Sequence, residues 1–194
     1  MKKLAYAIRV ITVAPIMALV MLLTLYFGNP LFFGTFTEFL LLTLFLVVLP
    51  LLAYPLQPLI KPFKYKGREG QRTLALIFAV AGYLLGCLFA ALLGAPRDVW
   101  FIYLSYMLSG SLVALINKVF HFRASGHACG VTGPFMLLVY FGQPVGYIGF
   151  AVLALVWAVS LYMKRHTTAQ FFVGALIPFA ALGILLLVFS LFSP

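Results

Sequence analysis

Seven apolar stretches alternate along the chain with short polar or turn-forming segments. They cover roughly residues 8–28, 36–56, 73–94, 98–119, 127–142, 145–163 and 169–192. About 20 apolar residues cross a bilayer core, so most of these stretches have the length of a membrane helix. Turn signals fall between them, at Gly28-Asn29-Pro30, Gly94-Ala95-Pro96-Arg97-Asp98 and Gly142-Gln143-Pro144. The fifth stretch is short and carries Gly126, Gly130 and Gly133, a composition suited to a start inside a protein-lined cavity. The pattern predicts an all-α, polytopic transmembrane bundle of six or seven spans, forming one integral membrane domain over residues 1–194 with the N-terminal spans in 1–56.

Composition sharpens the class. The chain is 65% hydrophobic and 8% charged, with a mean hydropathy of +1.16, and nothing is left over for a separate soluble domain. The segment from Met1-Lys2-Lys3 to Phe27 has too long an apolar run for a typical signal peptide and no small-x-small cleavage site before Asn29-Pro30, so it reads as a retained first span. Cys87 and Cys129 lie in apolar stretches and read as small packing residues rather than as a disulfide framework.

Charge then sets orientation. With seven spans, the N-terminal tail and the loops at 57–72, 120–126 and 164–168 share one side. That side holds every Lys and Arg of the thirteen except Arg97. Such an asymmetry predicts a multi-pass protein of the cell membrane whose basic loops face the cytoplasm. Lys2, Lys3, Arg9 and Lys61 lie outside any motif and support the same orientation.

The chemistry available is narrow. Glu38, Glu69 and Asp98 are the three carboxylates, too dispersed for a hard-cation site, so no metal and no cofactor is expected. Polar groups at a membrane boundary are functional candidates by default. Three basic segments qualify, each with a plain alternative. The loop at 61–72 holds Lys61, Lys64, Lys66, Arg68 and Arg72. It reads either as an anchor on anionic headgroups or, with Arg68 and Arg72 four apart on a helix face, as a guanidinium fork for phosphate. Arg123-Ala124-Ser125-Gly126-His127 precedes the fifth stretch. Ser125 can cap that helix and Gly126 lets an anion approach its exposed N–H groups, whereas the alternative is a cap followed by a small-residue packing face through Gly126 and Gly130. Lys164-Arg165-His166 is followed by Gln170. On a helix the amide of Gln170 could fix the ring of His166; the alternative is a basic flank that stops transfer. His121 reads as a boundary residue.

Together these segments resemble the type 2 phosphatidic acid phosphatase superfamily, which includes vanadium-dependent haloperoxidases and carries K-x6-R-P, P-S-G-H and S-R-x5-H-x3-D. Ser125-Gly126-His127 matches S-G-H with Ala124 for the proline, and His166 with Gln170 matches H-x3-D with the aspartate replaced. Arg72 matches the arginine of the first motif; Thr73 follows it, and Tyr65 stands seven before it between Lys64 and Lys66. Arg68-Glu69-Gly70-Gln71-Arg72, Asn117, Ala128, Thr167 and Gly174 are similar to small, divergent prokaryotic, often archaeal, members. The resemblance covers about 64–180. It implies a phosphatase-like core in which His166 attacks phosphorus, His127 protonates the leaving oxygen, and Arg68, Arg72, Arg123, Ser125, Gly126 and Arg165 hold the phosphate. Gln170 takes the orienting aspartate's place, and Ser160 stands where the family has a further arginine.

The expected function is therefore metal-independent hydrolysis of a phosphatidate or polyprenyl (di)phosphate, with membrane lipids and a lipid phosphate as partners and no nucleic acid. A catalytically silent lipid-phosphate binder or carrier on the same scaffold is the alternative. A small transporter would call for a pair of broken intramembrane helices, which the sequence does not suggest. Phosphoryl transfer requires that His127, His166, Arg72 and Arg123 or Arg165 line one cavity at one membrane face.

Overall fold

A computed structural model describes residues 2–192, apart from the side chains of Arg68 and Phe192. Among the described residues the chain is all helical, without a strand. The main helices are α1 (Lys2–Ile11), α2 (Ala14–Gly28), α3 (Phe36–Leu59), α4 (Gly67–Leu93), α5 (Arg97–Lys118), α6 (Gly126–Tyr140), α7 (Ile148–Tyr162) and α8 (Thr168–Phe192). Within the described residues, α3, α4, α5, α8 and α7 with its leading turn from Pro144 are long and apolar enough to cross a membrane. The pair α1 and α2 passes the same test jointly, bent by 51°.

Two departures from the sequence pattern have proline causes. The first stretch is not one straight helix, because Pro15 has no N–H for the carbonyl of Ile11 and the chain breaks at Thr12 and Val13. In α3 the backbone widens into a π-turn over Leu44–Val48, where Pro50 likewise cannot donate to Leu46. Gly82 of α4 sits against the Phe45 carbonyl there, with no room for a Cβ.

The fifth stretch forms α6, whose 15 residues measure about 22 Å at 1.5 Å per residue, short of a core of about 30 Å. Neighbours compensate: α2, α5, α7 and α8 all pack on it, and Ala128, Val131, Leu137 and Leu138 are buried. Tyr140 at its far end stacks on Phe101, ring centroids 4.8 Å apart, so α6 runs from the basic loops down to the level where α5 begins. A core of Met21, Leu22, Leu25, Phe33, Leu42, Phe101, Ile102 and Tyr103 fills the half of the bundle away from the basic loops. A smaller cluster of Met17, Ala128, Val131, Val156, Phe171 and Ala175 lies beneath them. Large apolar side chains, including Leu92, Phe150, Leu176 and Leu187, face outward, as a lipid-facing surface requires.

Candidate functional site

The two histidine segments are joined by backbone. The N–H of Ser125 donates to the carbonyl of Gln170 at 2.9 Å. Gly174, one turn further along α8, lies so close to the Ser125 backbone that a Cβ there would overlap its N, C and O atoms. Ser125 is buried and caps α6, its Oγ accepting from the Ala128 N–H at 3.2 Å. The expected N-cap is thus present, and it is locked onto the start of α8. Of the small-residue face suggested for α6, Gly130 does pack tightly, against Ala14 of α2, whereas Gly126 is exposed and a Cβ there would meet only Val113 at 4.0 Å.

His166 is not on a helix. It occupies the loop just before α8, and Thr167 is the cap. Thr167 and Gln170 satisfy each other reciprocally: the Gln170 N–H donates to Thr167 Oγ1 at 3.3 Å, and the Thr167 N–H donates to Gln170 Oε1 at 3.1 Å. This is the capping box that T-x-x-Q encodes. The side-chain oxygen of Gln170 is thereby engaged, although the side chain still lies against the His166 ring. Nδ1 of His166 is buried without a hydrogen-bond partner among the described residues. Burial holds the His166 imidazole below the ordinary histidine range; the Gln170 side chain opposes this, Arg72 and Arg9 add to it, and the Arg123 backbone opposes it.

His127 sits in the first turn of α6, half-buried. Its Nε2 is 3.0 Å from Thr12 Oγ1, and Arg9 and His166 both act electrostatically on its ring. Arg72 lies in the second turn of α4 and is exposed. Arg123 is exposed and contributes through its backbone. Arg165 is half-buried with Nε unpartnered among the described residues, and its N–H donates to the Ser160 carbonyl at 3.0 Å. Arg68 opens α4, and its side chain lies outside the described residues. His121 is exposed with φ +51°.

Two separate hollows lie beside these segments among the described residues. A shallow, open depression is lined by Leu161, Lys164, Arg165, His166, Thr167 and Gln170; His127, Arg72 and Arg123 are not in its lining. An apolar cavity of about 170 Å³ starts at Gly126 and descends among α4, α5 and α6 to Met136 and Leu137, with Tyr83, Ser105, Tyr106 and Gly110 in its walls. Among the described residues no group of three His, Cys, Asp or Glu side chains gathers as a metal-ligating set, and both cysteines are free.

Sequence reasoning missed the N-terminal contribution. In the sequence Arg9 speaks only for orientation and Thr12 falls within an apolar stretch, yet Thr12 contacts His127 and Arg9 acts electrostatically on both rings. The signal available was Pro15, three residues after Thr12, which marks a helix break at Thr12 and Val13.

Comparison of the chain with protein-family models, with curated proteins and with solved structures gave no match in any of the three.

Proposed function

We propose that this chain is a metal-independent membrane phosphatase of lipid phosphates, on the plan of the type 2 phosphatidic acid phosphatases. The observation that carries the reading is the bond from Ser125 to Gln170, which joins the loops of His127 and His166 into one unit, with Arg72 and Arg9 acting on the His166 ring. Because Nδ1 of His166 is enclosed, Nε2 is the attacking nitrogen. As the N–P bond forms, the P–O ester bond breaks and its electron pair passes to the leaving oxygen, which takes a proton from His127. Water, deprotonated by the now neutral His127, then attacks the phosphohistidine and releases inorganic phosphate. Arg68, Arg72, Arg165 and the backbone at Ser125 and Gly126 hold the phosphoryl oxygens, where charge develops.

The apolar cavity supports a lipid substrate. It extends along α6 from Gly126 to Leu137, roughly 16 Å at 1.5 Å per residue, beginning beside His127. Three of its glycines, Gly110, Gly126 and Gly133, would tolerate a Cβ without a close contact, the nearest atom being 3.5 Å away or more. A glycine inside a helix costs about 1 kcal/mol relative to alanine. Helix packing does not demand those three, whereas room for a single apolar chain does. In this reading the bundle makes seven passes, with α6 relying on its neighbours to complete the fifth, and the basic loops face the cytoplasm.

The rival is a silent lipid-phosphate binder, favoured by one observation: Gln170 is engaged in capping α8 while Nδ1 of His166 lacks a partner among the described residues. Purified protein in chelator, given prenyl and diacyl lipid phosphates and the tail-less phenyl phosphate, separates the two. The expected result is chelator-resistant phosphate release, with a lower KM for the tailed substrates. Activity abolished by chelator and restored by Mg²⁺ would overturn the mechanism; binding without release would favour the silent binder.

A further inference from the structure

We propose that the N-terminal segment completes the phosphate site, with Arg9 as a phosphate-binding residue and Thr12 as the positioning residue that fixes the ring of His127. The inference rests on the phosphatase reading for the role of Thr12, while the anion-binding role of Arg9 stands without turnover.

Thr12 is buried in the break between α1 and α2. Its Oγ1 donates to the Ile8 carbonyl at 2.8 Å and lies 3.0 Å from His127 Nε2. A threonine hydroxyl has one hydrogen. With that hydrogen given to Ile8, the oxygen can only accept from the ring, so Nε2 of His127 carries a hydrogen. This pattern leaves Nδ1 as the nitrogen that exchanges a proton with substrate. A protonated Nδ1 gives its proton to the leaving oxygen, and the neutral ring that remains is the tautomer Thr12 already holds.

Arg9 stands in the last turn of α1, three residues before Thr12, whose N–H still donates to the Ile8 carbonyl at 3.0 Å, so the two share one face. Since Thr12 touches His127, that face looks onto the site, and Arg9 acts on both imidazoles. The need for it is local. Where the family resemblance calls for an arginine six residues before His166, this chain has Ser160, a buried residue that carries no charge. Lys164 and Arg165 stand in the loop that follows, and Arg9 adds a cation from a different element, because α1 lies against α7, the helix that holds Ser160. A guanidinium suits this place because it meets phosphate oxygens with two parallel hydrogen bonds. The other cations around His166 are Arg72, Lys164 and Arg165, and Arg9 is the one among these supplied from outside the three motifs.

The test is calorimetric titration of purified, detergent-solubilised full-length protein with inorganic phosphate. Arg9→Gln should weaken binding tenfold or more, and Arg9→Lys should recover part of the loss. Lys3→Gln, which removes the same charge from an exposed position of α1, should leave binding unchanged. Equal weakening by Lys3→Gln and Arg9→Gln, or no weakening by Arg9→Gln, would overturn the role of Arg9, as would a wild type that binds no phosphate. Phosphate binding that depends on Arg9 in a protein without turnover would uphold Arg9 while sinking the phosphatase reading. For Thr12, ¹⁵N chemical shifts of the His127 ring should show the Nε2–H form in wild type and in Thr12→Ser, and a mixture of tautomers in Thr12→Val. In active protein, Thr12→Val should lower kcat and displace the alkaline limb of its pH profile, with Thr12→Ser restoring both. An unchanged tautomer in a folded Thr12→Val variant would overturn the positioning role.

Discussion

Gln170→Glu is expected to raise turnover about tenfold, and His166→Ala to abolish it in either background. The reason lies in how many acceptors the side chain offers. Gln170 has one oxygen, which already accepts from the Thr167 N–H at 3.1 Å and is the acceptor the ring would have to share. Nδ1 of His166 is buried without a hydrogen bond of its own among the described residues, so a His166 attacking through Nε2 holds its Nδ1–H against a shared, neutral acceptor. Glutamate is the same length and keeps the capping box. Its second oxygen can take the ring hydrogen and stabilise the positive charge that forms on attack. A hydrogen bond to a charged group exceeds a neutral one by about 1–1.5 kcal/mol, which is close to a factor of ten in rate. Asp at the same position restores the residue type of the family motif with a shorter reach and should give a smaller gain. The carboxylate also favours the protonated ring, so the acid limb of the pH profile should move up from its wild-type position, which burial, Arg72 and Arg9 hold low. Steady-state kinetics against pH decides the matter. No gain in a folded, phosphate-binding Gln170→Glu protein would favour the silent binder.

Gly174→Ala is expected to cut kcat by about a hundredfold with helix content retained. A Cβ at 174 overlaps backbone atoms of Ser125 rather than the end of a flexible side chain, so one of the two histidine loops must move. Overpacking of this kind costs typically 1–3 kcal/mol, more than the roughly 1 kcal/mol of helix propensity that alanine returns. A displacement near 1 Å at a reacting group can cost about 10²-fold. Gly183→Ala, on the same helix with nothing within 4 Å, should keep full activity. Circular dichroism with kinetics on the two variants makes the comparison; an active Gly174→Ala enzyme would mean that the joint between the loops is not what aligns the histidines.

Much of this architecture is legible in the sequence because membrane helices are written as apolar length. The turn signals at Gly28-Asn29-Pro30 and Gly142-Gln143-Pro144 fall where helices end, and Ser125 reads correctly as a cap. What stays hidden is set by backbone geometry. Thr167-Thr168-Ala169-Gln170 encodes a capping box, which the i, i+4 spacing of His166 and Gln170 masks, because His166 lies two residues before the helix and one before its cap. Thr12 meets His127 at the break that Pro15 imposes on the first span, and a hydropathy profile is blind to a 51° bend. Gly174 belongs to the sequence pattern, and only the approach of the Ser125 backbone explains why a glycine stands there. The division of the hollows, with His166 over an open depression and Gly126 at the mouth of an apolar cavity, depends on packing among α4, α5 and α6 that no local spacing encodes.

The central claim is that His166 takes the phosphoryl group. Rapid quenching of wild type during turnover of a lipid phosphate in chelator, followed by peptide mass spectrometry under alkaline conditions that preserve phosphohistidine, tests it most directly. A phosphoryl group on His166, absent from His166→Ala and trapped in greater amount when His127→Ala slows its hydrolysis, is the result this account predicts. Turnover with no phosphohistidine, or with the phosphoryl group on another residue, would contradict it.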